Sequence, residues 1–271
     1  GWNVVDVHNL ISIVVGGDSS DIYGAIDTTA FTQADYFLIN PAGLVLGPGA
    51  ALDVAGSVHL STADRIHFAD DSELVLTALA GSTFSISDPA SFGFVNGAAA
   101  VQVANDATIS LLMENPQRGS FTLSGGDVSF GENTRIQTNL NFAAIAVGVG
   151  DVFDLDPMTL SSAVFGGELT VGKATFLFDE GRGFFGGGDI LMNGATINTI
   201  STDPLDALRI KASDNLSING SSIQTFGRGA QAGNIVLTGQ TIDIGNASRI
   251  ESNGVDGGSG GQVFLFAGDS I

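Results

Sequence analysis

The sequence predicts an all-β chain wound as a right-handed, single-stranded parallel β-helix, with small extra-helical β elements on its side. Three observations carry this: short alternating segments in place of helical periodicity, an internal repeat with a solenoid period, and an excess of turn-forming residues. Alternation of apolar and polar positions recurs in Leu52-Asp53-Val54, Ser57–Ser61, Phe121–Leu123, Asp127–Phe130, Thr241–Ile244 and Gln262–Phe266. Each segment is short, and most are bounded by Gly, Asn, Asp or Ser, as strands between tight turns should be. No long stretch places apolar residues at i, i+3, i+4 and i+7.

The repeat is the strongest signal. Residues 121–138 align with residues 235–252 without a gap, at an offset of 114. Five aligned pairs are identical: Leu123/Leu237, Gly125/Gly239, Gly131/Gly245, Arg135/Arg249 and Ile136/Ile250. A looser copy runs through Ile210-Lys211-Ala212, Leu216-Ser217-Ile218 and Ile223-Gln224-Thr225, and another through Asp189-Ile190-Leu191 and Ala195-Thr196-Ile197. The unit reads strand, turn, strand, turn, strand. Ile210 to Ile235 spans 25 residues and Ile235 to Val263 spans 28, both within the solenoid range. Such a unit cannot bury its own apolar face, whereas stacked units can. At roughly 20–28 residues per coil the chain makes on the order of ten coils, a rod of roughly 50 Å at ~4.8 Å per paired strand. A propeller needs about 40 residues per blade and fits the shorter unit less well.

Two stretches break the pattern. Residues 78–117, including Ile86–Phe94, read as an antiparallel excursion or covering hairpin on the side of the rod. Residues 151–187, rich in Phe and Gly, read as another, with Gly183–Gly188 its loosest part.

Composition supports the turns. Charged residues are 14% of the chain, against ~25% in ordinary soluble domains, and glycine accounts for 38 of 271 residues. The formal net charge is −20, from 9 Lys+Arg against 29 Asp+Glu. Such a chain repels phosphate backbones, so nucleic acid is not an expected partner. The acids are mainly Asp, which suits turns rather than helices. With no cysteine there is no disulfide framework and no thiol chemistry. No signal peptide is visible, and no apolar run approaches 18 residues.

One motif stands apart. Asn40-Pro41-Ala42-Gly43 is followed by the apolar run Leu44-Val45-Leu46 and Gly47. Pro41 biases Asn40 towards extended structure, and Asn and Gly supply a turn before a buried strand. Val7–Ser12 and Gly16–Gly24 lie upstream; Leu52–Ser57 and Ser61–Ile66 lie downstream. Over residues 4–70 this pattern resembles the secretion domain of two-partner-secretion exoproteins, the haemagglutination-activity domain of the filamentous-haemagglutinin family. Asn40, Pro41 and Gly43 match the family's Asn-Pro-Asn-Gly motif, and Ala42 replaces its usual second Asn. The resemblance implies residues 1–117 as part of a secretion-type β-helix and 118–271 as continuing repeats. The family's earlier Asn-Pro-Asn-Leu motif and amino-terminal capping segment are not found here, which implies a chain cut from a larger protein.

The same resemblance implies export through a partner outer-membrane pore and folding outside a Gram-negative-type cell. It implies a non-catalytic role in adhesion or aggregation, with a host or surface glycan or protein as receptor. Two alternatives come from the residues. Open sheet edges at the rod ends allow end-to-end self-association into a fibre or sheath. A β-helical polysaccharide lyase or hydrolase would need converging Asp, Arg and Lys, which two Lys and seven Arg hardly supply.

The search for chemistry yields no catalytic residue and no required cofactor. Asp151, Asp154 and Asp156 could offer oxygens to Ca²⁺, without an EF-hand pattern. Asp70-Asp71 reads as a solvated turn. His8, His59 and His67 read as ordinary strand histidines, since a His59/His67 metal pair lacks a third ligand. Arg135 and Arg249 recur at equivalent positions, which favours a structural role such as pairing with a neighbouring coil's Asp. Trp2 and two Tyr leave little aromatic surface for sugars, and the 18 Phe read as core.

Overall fold

The computed structural model describes residues 7–79, 82, 85–114, 119–155, 160, 164–201, 206–229, 231–245 and 247–271. They form a parallel β-helix with three faces. The first face runs from Asn9–Ile13 through Asp35–Ile39, Val58–Ser61, Ser120–Gly125, Asn141–Ala146, Gly183–Gly187 and Asp206–Ala212 to Val263–Ser270. The second runs from Ser20–Ile22 through Leu44–Leu46, Val101–Val103, Val128–Phe130, Glu168–Val171 and Asp189–Asn193 to Asn215–Asn219. The long strand Asn234–Ile244 belongs to both, so one 16-stranded sheet wraps two sides of the rod. The third face holds the pair Ala25–Asp27 and Ala51–Asp53, then six strands from Thr108–Leu111 to Arg249–Val255. Crossovers between parallel strands run right-handed in about 98% of cases, the hand expected here.

The registers reproduce the repeat. Phe121 reaches Ile235, Val128 reaches Ile242 and Ile136 reaches Ile250 through unbroken chains of in-register partners. One count is corrected: Leu208, not Ile210, pairs with Ile235, so that coil is 27 residues long. Both residues face inward two positions apart, and periodicity of two cannot tell them apart.

Inside the rod, side chains stack coil on coil. Phe142 packs within 5.2–5.8 Å of Phe121, Phe176, Phe178 and Phe185. Edge-on and offset pairs of this kind contribute about 0.5–1.5 kcal/mol each beyond area burial.

Only part of each irregular stretch leaves the rod to build one lid: Val101–Val103 and Thr108–Leu111 of the first, and Glu168–Val171, Thr175–Asp179 and Gly183–Gly187 of the second, are rod strands. Arg65–Phe68, Glu73–Val75, Pro89–Phe94 and Asp151–Asp154 form a four-stranded antiparallel sheet, contributed by two separate departures from the rod. The first departure starts earlier than the sequence suggests. Ser61–Ile66 is not a coil: the chain leaves the rod after Ser61, because Ile66 and Phe68 turn down onto the outer side of the first face. That contact makes a second core outside the rod, from Phe37, Ile39, Ala143, Ile145 and Phe184 below and Ile66, Leu74, Phe92 and Phe94 above. First-face strands are therefore buried on both sides, which explains the continuous apolar run through Phe142–Val147.

Gly183–Gly187 is likewise not loose but a buried first-face strand. A Cβ on Gly183 would lie 2.6 Å from Phe178 and 2.7 Å from Leu208, so glycine is demanded by close packing. The recurring arginines also differ from expectation. Arg249 pairs with Glu251, and Arg135 bonds Gln137 at 3.4 Å. Each partner lies two residues along the same strand, on the same side of the pleat, rather than on a neighbouring coil.

Candidate functional site: the Asn40–Gly43 corner

Asp35–Ile39 brings the chain along the first face, and Asn40 ends it. The Asn40 backbone N–H donates to the Ser61 carbonyl at 3.0 Å, extending the ladder by one residue. Its carbonyl accepts the Gly43 N–H at 3.0 Å, which closes a four-residue turn. Pro41 occupies the second position of that turn, where a fixed φ helps and no donor is needed.

The Asn40 side chain is fully used and 0% exposed. Oδ1 accepts the Ala42 N–H at 2.9 Å, an Asx turn. Nδ2 donates to the Asp18 carbonyl at 3.0 Å and to Ser20 Oγ at 2.8 Å, both on the preceding coil. Ala42 contributes only its backbone N–H, a role any residue except proline fills; this is why the turn tolerates Ala where the family has Asn. Gly43 sits at φ +128, while a Cβ would meet Ser19 at an ordinary 3.4 Å. Backbone conformation rather than space therefore selects glycine. The Gly43 carbonyl accepts the Ser20 N–H, and the Leu44 N–H donates to Ala100 at 3.2 Å. The corner thus clamps three coils, and Ala100 is close to where the chain re-enters the rod after the lid.

Asp64, within the downstream flank Ser61–Ile66, closes the lid excursion. It is 1% exposed, and its carboxylate accepts the Val95 N–H at 3.0 Å and the Asn96 N–H at 2.6 Å. The start and return of a thirty-residue detour are tied by one carboxylate.

His59 lies beneath the lid, stacked on Phe37 at 4.7 Å and edge-on to Phe92 at 6.4 Å. Burial alone lowers its pKa to about 3, so the ring is neutral. Its Nδ1 has no hydrogen-bond partner, and neither has Oγ1 of Thr122, its register neighbour. His67 lies on the lid, 4.0 Å from Glu73, and His8 is exposed. Among the described residues no three His, Cys, Asp or Glu side chains converge as a metal site. Asp151 and Asp154 end the lid strand Asp151–Asp154, and Asp154 is exposed. The side chain of Asp151 and the whole of Asp156 and Trp2 lie outside the described residues. Asp70 is a turn residue: its carboxylate accepts bonds from Ser72 and Ser85, which hold its pKa down to about 2.

Residues 3–265 match the family model for the TPS secretion domain. The chain belongs to that family. It is therefore a secretion domain of a two-partner-secretion exoprotein, and membership implies a partner outer-membrane transporter during export from a Gram-negative cell. No curated protein and no solved structure matches. The secretion-domain match covers the rod, the corner and the lid together, so the motif-bearing coils and the later repeats fall within one family unit.

Proposed function

We propose that the Asn40–Gly43 segment has two successive roles: it is read by the partner transporter in the unfolded chain, and it becomes the corner clamp once the chain folds outside the cell. The observation carrying this is the burial of Asn40. Every polar atom of its side chain is engaged and none is exposed. A partner can therefore contact that side chain only before the coils close over it.

The exported protein is non-catalytic in this reading and acts in adhesion or aggregation. Charged side chains support it, because those described pair off locally: Arg65 with Glu73 on the lid, and Arg249 with Glu251 and Lys173 with Glu132 on the rod. The experiment is an export assay with the cognate transporter alongside refolding of the purified chain. Asn40→Ala removes the bonds to the carbonyl of the exposed Asp18 and to the half-buried Ala42 N–H, at about 0.5–1.5 kcal/mol each. The conservative Asn40→Ser keeps an acceptor. Dual function predicts that both variants lose export to a greater degree than their stability loss explains. Export that tracks stability alone would leave only the clamp.

A further inference from the structure

The lid and the rod share packed side chains but no ladder. Among the described residues, the four lid strands pair with one another and none pairs with a rod strand. The apolar underside of the lid forms a core separate from the one inside the rod. Where the first detour leaves and returns, Thr62 Oγ1 donates to the Ala99 carbonyl at 2.7 Å, and the Thr62 N–H donates to the Ser124 carbonyl of the rod at 3.0 Å. Those bonds lie at the corner, so lifting the lid leaves them and the rod's ladder intact. An exposed side-chain bond also joins lid and rod, from Asn9 Nδ2 to Asp88 at 2.7 Å. Each detour carries a glycine beside the rod with positive φ and nothing within 4 Å of a Cβ position: Gly97 at φ +113 and Gly150 at φ +92. Such residues absorb large backbone rotations.

The seam between them holds a histidine that closure leaves without a partner. His59 is 3% exposed, stacked on Phe37 of the rod and edge-on to Phe92 of the lid. Its Nδ1 and the Oγ1 of Thr122, on the next coil of the face, are both buried and unbonded. No described charged group faces the ring. The lid side chains turned down towards the rod are Ile66, Phe68, Leu74, Phe92 and Phe94. Arg65, His67 and Glu73 alternate with them and lie on the lid's outer side, where Glu73 bonds Arg65 at 2.6 Å and sits 4.0 Å from His67. The Asp64 carboxylate holds the Val95 and Asn96 N–H groups, and Asp154 is exposed. On the rod, Asp35 accepts the Ser57 N–H at 2.6 Å. A protonated His59 under a closed lid is therefore a buried charge without a counter-ion, a costly state.

We infer that the lid is a hinged cover released by acid: it lifts as one sheet about Gly97 and Gly150 when His59 takes up a proton, and it bares the apolar seam while the rod stays wound. The sign follows from the neutral ring. Burial holds the His59 pKa at about 3, against an ordinary 6.5 once the lid is open, so opening takes up a proton and grows as pH falls between those values. From pH 7 to pH 5, one such proton multiplies the ratio of open to closed lid about 25-fold. The proposal concerns the folded molecule alone and stands apart from the reading of Asn40–Gly43 during export.

The test uses the absence of cysteine from the chain. Thr122→Cys puts a single thiol under the lid, and Ala107→Cys puts one inside the rod, at positions 1% and 0% exposed. Labelling by 4,4′-dithiodipyridine is followed at pH 7, 6 and 5, each rate divided by that of Ser110→Cys on the exposed third face. The expected result is a rise of about 25-fold at Thr122→Cys from pH 7 to pH 5, with Ala107→Cys unchanged. Adding His59→Leu to Thr122→Cys should remove the rise. A flat rate at Thr122→Cys, a rise that survives His59→Leu, or an equal rise at Ala107→Cys would overturn the proposal. Where a cysteine variant does not keep the parent circular dichroism spectrum, hydrogen exchange of the parent chain and of His59→Leu reads the same three outcomes. The amides of Pro89–Phe94 then report the lid and those of Val128–Phe130 the rod, each rate divided by its intrinsic rate at that pH.

Discussion

The first face has two regions with the same interior and different exteriors. From Asn9–Ile13 to Gly183–Gly187 its outward side chains include Phe37, Ile39, Ala143, Ile145 and Phe184, sealed under the lid. From Asp206–Ala212 onward the outward positions are Arg209, Lys211, Val236, Thr238 and Phe264, half-buried, and Phe266, exposed. Inward positions do not change: Leu123, Ala144, Phe185, Ile210 and Leu237 form one stack throughout. The ladder and the inner stack therefore specify a rod, while the outward side of one face specifies what the rod carries.

That contrast can be broken from inside first. Phe142→Ala removes the ring at the centre of the aromatic stack, buried at 0%. The expected loss is about 3–5 kcal/mol, read by urea denaturation as a cooperative shift of the whole rod. Asp64→Ala should act on the lid alone. It removes the two charge-assisted bonds from the exposed Val95 and Asn96 N–H groups to the buried carboxylate, each contributing about 1.5–3 kcal/mol. Hydrogen exchange should rise across Pro89–Phe94 while the strands from Asp206–Ala212 to Val263–Ser270 keep their protection. If protection falls equally everywhere, the lid and the rod are one cooperative unit.

Acid should separate the two regions without mutation. Burial holds the His59 pKa down at about 3, against an ordinary 6.5 for a solvated imidazole. Between those values the unfolded state binds the proton and the folded state does not, so stability falls as pH drops from about 6.5. The slope is on the order of 1.4 kcal/mol per pH unit. Asp70 and Glu251, both held near 2, contribute only below the ordinary carboxylate range. Between pH 6.5 and 5 the loss should therefore come from His59 and should show first in lid amides. His59→Leu should flatten the profile in that window. An unchanged slope would mean that another group carries it.

The smallest effect belongs to the corner. Ala42→Asn restores the family's usual residue at a position that supplies only a backbone N–H. Its effect on the melting free energy should stay within about 0.5 kcal/mol. A larger change would show that the second Asn of the motif does more than complete a turn.

Much of the architecture was legible because a solenoid repeats its instructions. The 114-residue offset matches the registers residue for residue, and the turn at Asn40–Gly43 follows from proline's fixed φ and glycine's freedom. The lid was only partly legible. Two irregular stretches pointed to it, but its start at Ser61 was hidden because Arg65–Phe68 alternates just as a coil strand does. Gly183–Gly187 read as slack because glycine looks the same in a loose loop and in a tight contact.

By itself, the sequence determined the inward stack, the positions of the turns and the family to which the motif belongs, since these depend on local conformation and on residues one coil apart. Only the tertiary structure decided that two detours, whose paired strands lie 57 residues apart from Phe94 to Asp151, join into one sheet, through Phe94 opposite Asp151 and Phe92 opposite Phe153. It alone showed that Asp64 ties one detour shut, that His59 is sealed beneath it, and where the cover ends. Those outcomes depend on which outward surfaces meet, and an alternating pattern says that a side is apolar without saying what will cover it.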